Sequence, residues 1–267
     1  MKQDGILAFH LGWTDVVNCL SLINFHAKNV DRLYVLMRDD AKDFVSFYVR
    51  NLQNVICLYE SKAFLDSLMN ASPELLKAYL DALNRRENLN NLQLYFHGSW
   101  DRYRLDGFKN KFAYSRRDCH FVQNFYEVYG IPYIEKVNSF KFDRDLNIEE
   151  SEYRQFVDAY GFDYVLKHDS EEMPISVSGI NVANMNKNPF TFIKVLQNSK
   201  EIHVIDSFWA SALYEIDARY KLFEKKTINI YPFKPSSSGQ IRGGGLYILP
   251  TLNEMKPIKL TNWKVVI

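Results

Sequence analysis

Apolar positions along the chain fall into short strand-length runs that alternate with stretches of helical period. Gly5–Leu11 and Asp31–Met37 read as buried strands, and Gln53–Leu58 and Leu92–Phe96 as two more. After the first of them, Val16, Val17, Leu20, Ile23 and Ala27 recur near helical spacing and predict a helix over Trp13–Ala27. A short helix over Asp39–Val49 follows the second strand, and helices over Ser61–Met69 and Ser72–Arg85 follow the third. The last of these opens on Ser72-Pro73-Glu74, an N-cap with proline at the first helical position. Asp118 reads as the cap of a helix that ends at Gly130, ahead of Ile131-Pro132. Strands alternating with helices in this way predict a mainly parallel sheet.

Around Asn138–Glu149 the pattern relaxes into polar text, which divides the chain into lobes 1–140 and 141–267. The second lobe repeats the plan. Helices are expected over Glu150–Tyr160, Pro189–Asn198 and Phe208–Asp217, and strands over Asp163–Lys167, Ile175–Val177, Glu201–Ile205 and Lys226–Tyr231. Ser236–Gly245, SSSGQIRGGG, is the one low-complexity stretch and reads as a loop. The tail NWKVVI is expected to pack, because Trp263, Val265, Val266 and Ile267 are costly to expose. The fold class expected is therefore α/β, with two Rossmann-like lobes built on mainly parallel sheets.

Composition narrows the function more than the fold. Of 267 residues 47% are hydrophobic, ample for a packed core. The 33 basic and 32 acidic residues nearly cancel, so no global field gathers nucleic acid, and none is expected as a partner. Cys19, Cys57 and Cys119 are an odd set without CxxC spacing, which fits buried thiols in a reducing cytoplasm. The N-terminus lacks the pattern of a signal peptide, and no window approaches the ~18 apolar residues of a membrane span. Peripheral membrane contact stays open.

Chemistry concentrates at the strand–helix junctions, because parallel sheets bind ligands outside the carboxyl ends of their strands. In EIHVIDSFWASALYEID the strand Glu201–Ile205 runs through Asp206-Ser207 into a helix. There Ser207 and the first helical N–H groups can receive a diphosphate, with Asp206 orienting the loop; either residue can equally be a plain N-cap. Near the N-terminus ILAFHLGWTDVVNCLSLI repeats the plan, with His10, Gly12 and Asp15 at its turn. Asp15 is a first-turn acid or a general base, His10 can share that task, and Gly12 allows close approach. These junctions, about 190 residues apart, predict two halves facing a shared cleft. His168-Asp169 is either an ordinary strand end or a donor to phosphate or ribose. Arg38, Asp39 and His97 end other strands, while Lys234 and Arg242 are candidate cations in late loops.

Aromatic residues interleave with Arg and Lys in the segment from His97 to Tyr126, which reads as a stacking surface or a loop packed on the core. The six histidines lack HxH or HxxxH spacing, so no metal is expected. GxGxxG, GxSxG and the P-loop are absent as well, which turns the reading away from dinucleotide enzymes, serine hydrolases and P-loop kinases.

These residues resemble the GT-B class of glycosyltransferases. HLGWTDVVNCLSLI is similar to the first-strand loop of heptosyltransferase-like enzymes, where a Gly-Asp pair opens the first helix and the Asp can act as base; here two residues separate Gly12 from Asp15. KEIHVIDSFWASALYEID resembles the donor-domain strand–turn–helix of heptosyltransferase- and fucosyltransferase-like proteins. The layout is also similar to glycosyltransferase-like proteins of bacterial surface-polysaccharide clusters and large viruses.

The resemblance implies transfer of a sugar from a nucleotide-sugar co-substrate to a glycan acceptor, with no other cofactor and no metal. The second lobe would hold the donor at Ser207 and His168, and the first the acceptor beside Asp15 or His10. Two other classes stay open: a non-catalytic nucleotide- or glycan-binding module, and a sugar-nucleotide enzyme such as an epimerase.

Overall fold

The computed structural model describes residues 3–9, 12–70, 73–97, 121–127, 129–185, 188–231 and 262–266. The chain divides into two compact units, Met1–Phe142 and Asp143–Ile267.

In the first unit, strands β1 (Asp4–Phe9), β2 (Arg32–Arg38), β3 (Val55–Glu60) and β4 (Gln93–His97) form a parallel sheet in the order β3-β2-β1-β4. Helices α1 (Trp13–Ala27), α2 (Lys42–Val49), α3 (Lys62–Asn70) and α4 (Pro73–Glu87) lie between them in sequence, followed by α5 (Phe121–Glu127) and α6 (Glu135–Asn138). A 3-10 turn over Asp39–Ala41 takes the start of the helix expected at Asp39. Because side chains alternate across a strand, β1 and β2 feed two cores. Ile6, Ala8, Tyr34 and Leu36 pack with Leu65, Leu68, Leu76, Leu80 and Leu83 of α3 and α4. Leu7, Leu33 and Val35 on the other face are fully buried, as are Val16, Val17 and Leu20 of α1. That two-sided burial explains why β1 and β2 read as unbroken apolar runs.

The second unit opens with α7 (Leu146–Tyr160), capped by the Asp145 carboxylate on the Ile148 N–H at 3.1 Å. The helix ends at Gly161 with φ 81°, a left-handed turn that favours glycine. Strands β5 (Leu166–His168), β6 (Ile180–Asn181), β7 (Glu201–Ile205), β8 (Thr227–Tyr231) and β9 (Trp263–Val265) form a parallel sheet in the order β6-β5-β7-β8-β9, with α8 (Ile193–Asn198) before β7 and α9 (Phe208–Tyr220) after it. The strand expected at Ile175–Val177 is instead β6 at Ile180–Asn181. The Ile175 N–H goes to the Asp169 carboxylate at 3.0 Å, which holds that stretch as a loop.

Rows across this sheet differ sharply. Leu166, Ile202, Ile228 and Trp263 stand in register and are all buried. The next row reads Asn181, Lys167, His203, Asn229 and Lys264, polar on all five strands. The tail packs as expected where it is described, with the Trp263 indole N–H donating to the buried Asp217 carboxylate at 2.8 Å.

Candidate functional site

In each sheet the chain reverses its direction of strand addition once. The reversal lies between β1 and β4 in the first unit and between β5 and β7 in the second. Crevices at such points, outside the carboxyl ends of the strands, are where open α/β sheets bind ligands.

The second-unit crevice is flanked by His168 at the end of β5 and by the turn that leaves β7. The Asp206 N–H donates to the Tyr231 carbonyl at 3.1 Å, continuing the β7–β8 ladder one residue past the strand. Ser207 is the N-cap of α9 with extended backbone, and its carbonyl accepts the Ser211 N–H at 3.0 Å. Its side chain makes no cap bond to its own helix. Instead Ser207 Oγ lies 3.1 Å from His168 Nδ1 on the neighbouring strand. The structure therefore joins two of the residues singled out from the sequence, directly across the reversal point.

Burial pulls the His168 imidazole down to about 4, against smaller opposing pulls from Asp169 and a backbone hydrogen bond. At neutral pH the ring is uncharged, so His168 offers a hydrogen bond and no positive charge to an anion. Asp169 is an anchor. Burial pushes its carboxyl up, but Lys167 at 2.9 Å and the Ile175 N–H outweigh this and hold it below the usual range, and the Asn181 amide also donates to it. Asp206 is buried within the turn.

The first-unit edge is built differently. Gly12 is the N-cap of α1 with φ −65°, and its carbonyl accepts the Asp15 and Val16 N–H groups at 3.0 and 3.1 Å. A Cβ at Gly12 would meet no described neighbour within 4 Å, so neither backbone strain nor such a neighbour requires glycine. Asp15 is 8% exposed. His10, Lys234, Arg242, the loop at 236–245 and Cys119 lie outside the described residues, as does most of the aromatic segment, residues 98–120. Arg38 is paired with Asp40 at 2.9 Å.

A buried lysine lies in the electrostatic neighbourhood of Asp15, with no signal for it in the residue pattern. Lys136 on α6 is 1% exposed, and burial lowers its ammonium to about 7, with Cys19 pulling the other way. Burial pushes the Cys19 thiol well up; Asp15 adds to that push and Lys136 opposes it, so the three groups share one electrostatic neighbourhood. The Tyr126 hydroxyl donates to the Asn18 carbonyl at 2.6 Å and lies 2.5 Å from Ser21 Oγ, so Ser21 must be the donor of that second bond. Trp13, beside Gly12, is 37% exposed and meets Phe44 edge-on at 6.2 Å. A signal for Trp13 existed, an aromatic in the first turn next to a candidate base; for Lys136 in the short EKVN turn there was none.

Among the described residues no three His, Cys, Asp or Glu side chains are gathered as a metal ligand set. No described helix is long and apolar enough to cross a membrane.

Comparison with known proteins bears on the fold. No protein-family model matches the chain, and no curated protein does. Among solved structures the chain is similar to a glycosyl transferase family 9 protein from Veillonella parvula DSM 2008, with a TM-score of 0.52 over 86% of this chain and 81% of that one. Identity is 8%, so the likeness is one of fold. It is a GT-B-like α/β fold. Two parallel-sheet Rossmann-like units, expected from the strand–helix alternation, are what the chain forms.

Proposed function

We propose that the chain is a metal-independent glycosyltransferase that moves a sugar from a nucleotide-sugar donor to a glycan acceptor. The observation that carries this reading is the Ser207–His168 hydrogen bond across the β5/β7 reversal, at the start of a helix whose N-cap side chain is turned away from capping. The first-turn N–H groups and helix dipole of α9 suit the donor diphosphate, and the Ser207 hydroxyl adds a hydrogen bond. Likeness to a glycosyl transferase family 9 fold supports sugar transfer over other chemistry on this scaffold.

In the reaction the acceptor oxygen attacks the anomeric carbon, and the bond from that carbon to the nucleoside diphosphate breaks. The acceptor proton passes to a base, for which Asp15 is our candidate together with His10. The leaving diphosphate is held by backbone dipoles and hydroxyls. We assign the reaction to the cytoplasm, which the free thiols Cys19 and Cys57 support.

A second reading, a nucleotide-binding module without turnover, is favoured by one observation: Asp15 is 8% exposed, so little of its carboxylate reaches an acceptor. Thermal unfolding with UDP, GDP, CDP, TDP and their common sugars, with and without Mg²⁺, tests both. A ligand at a hundred times its dissociation constant stabilises by ~2.7 kcal/mol. A selective, Mg²⁺-independent shift that Ser207→Ala diminishes is expected, followed by turnover that Asp15→Asn suppresses. Binding with no turnover in any acceptor screen selects the module, and no shift with folded protein sinks both.

A further inference from the structure

The polar row across the second sheet holds a chain of side chains that the proposed reaction does not use. His203 on β7 is 5% exposed and bonded through both ring nitrogens, Nε2 to Glu201 Oε2 and Nδ1 to the Tyr231 hydroxyl, each at 2.9 Å. The groups around the ring are Glu201 on its own strand, Tyr231 and Asn229 on β8, and Lys167 in register on β5.

Donor and acceptor inventory fixes the direction of this chain. A carboxylate only accepts, so Nε2 carries the imidazole proton toward Glu201. In the neutral ring Nδ1 is then bare and takes the Tyr231 O–H. Burial and the nearby Glu201 both push the Tyr231 phenol up, which keeps it a donor. Tyr231 is the last residue of β8, and its carbonyl receives the Asp206 N–H at 3.1 Å. The line thus runs from an exposed carboxylate through a buried imidazole and a phenol to the backbone of the turn that presents Ser207.

We propose that His203, oriented by Glu201, is a positioning residue: it pins Tyr231 and, through the Tyr231 carbonyl, fixes the Asp206–Ser207 turn that we read as the diphosphate site. The assignment of that turn to diphosphate rests on the function proposed above, whereas the pinning does not. Holding a ligand-bearing turn from behind keeps its N–H groups aimed without placing a side chain in the crevice. Each end of the line is replaceable by chemistry that preserves or removes one bond, which separates positioning from packing.

The test is amide hydrogen exchange by NMR on the full chain, read at Asp206 with Val204 in mid-strand as the internal control. Tyr231→Phe and His203→Leu each remove the phenol–imidazole bond and are expected to speed Asp206 exchange about tenfold, the scale of one net hydrogen bond, with Val204 unchanged. His203→Asn keeps an acceptor where Nδ1 sits and is expected to restore most of that protection. Imidazole ¹⁵N shifts should show His203 protonated on Nε2 and bare on Nδ1. Unchanged Asp206 exchange in Tyr231→Phe, equal acceleration of Asp206 and Val204, or an Nδ1-protonated ring each overturns the proposal.

Titration with inorganic pyrophosphate separates the two readings. Severalfold weaker binding in Tyr231→Phe is expected. Absence of pyrophosphate binding in both proteins, with Asp206 exchange still responsive, removes the diphosphate assignment and leaves the pinning in place.

Discussion

The two strand–helix junctions share a plan and differ in where they keep their polar groups. At the β7–α9 turn, Ser207 reaches sideways to His168 on the next strand, so its hydroxyl stands over the crevice. At the β1–α1 turn, Gly12 brings no side chain, and the titratable groups Asp15, Cys19 and Lys136 are buried near the helix start. Neither α1 nor α9 has a side-chain cap bond at its N-cap. An uncapped helix start leaves its first N–H groups for water or ligand. One edge thus presents hydrogen-bond donors suited to an anion, and the other holds a buried carboxylate, Asp15.

On the proposed function, rate belongs to the first unit and donor affinity to the second, and the largest effect should come from breaking that division at Asp15. Asp15→Asn is expected to lower kcat by about 10²–10⁴ while leaving donor affinity intact, the range of lost general-base catalysis. Steady-state turnover together with a donor titration checks this. Weakened donor binding with unchanged kcat would erase the division of labour.

Acid titration tests both units at once. Burial depresses His168 to about 4 and His26 to about 3, below the 6.5 of an exposed ring. The unfolded chain therefore takes up these protons first. The stability that these two rings contribute is complete above pH 6.5 and falls as the pH drops toward about 4 for His168, by roughly 3 kcal/mol at that site. Urea unfolding from pH 7 to 4.5 should show the fall, and His168→Gln should remove the second unit's share and leave that of His26.

At the alkaline side the first unit responds through Lys136. Lys136 binds its proton less tightly folded, at about 7, than unfolded at 10.5, so stability rises with pH above 7. The raised Cys19 thiol reverses the trend above 9, which leaves a window from pH 7 to 9 worth about 2–3 kcal/mol. Lys136→Met should flatten that rise in chemical denaturation. A rise that persists in the variant would place its source elsewhere.

The smallest effect belongs to the binding edge. Ser207→Ala removes one hydroxyl and should raise the donor dissociation constant up to about tenfold, roughly 1 kcal/mol, with kcat for bound donor little changed. Calorimetric titration reads the first quantity and saturation kinetics the second.

Much of this was legible in the residues. Helix α1 spans the very residues that its apolar spacing gives, and β7 is the apolar run before Asp206. Strands β2 and β3 begin one and two residues later than the apolar runs indicate, at Arg32 and Val55, because each strand's extent is set by its neighbour in the ladder. The Ile175–Val177 run failed as a strand for a local reason, since Asp169 takes its backbone donor. Lys136 could not be found, because a lysine in a short polar turn reads as solvated until packing encloses it.

The sequence by itself determined the alternation of strands and helices, the polar turns at their ends, and the residue types available there. These follow from periodicity and capping, which act over a few residues. Only the tertiary structure decided that His168 meets Ser207 across 39 residues of chain, and that His203, Asn229 and Lys167 fall in one row. Register between parallel strands is set by crossover connections and by the burial of whole faces, and no local pattern encodes that pairing.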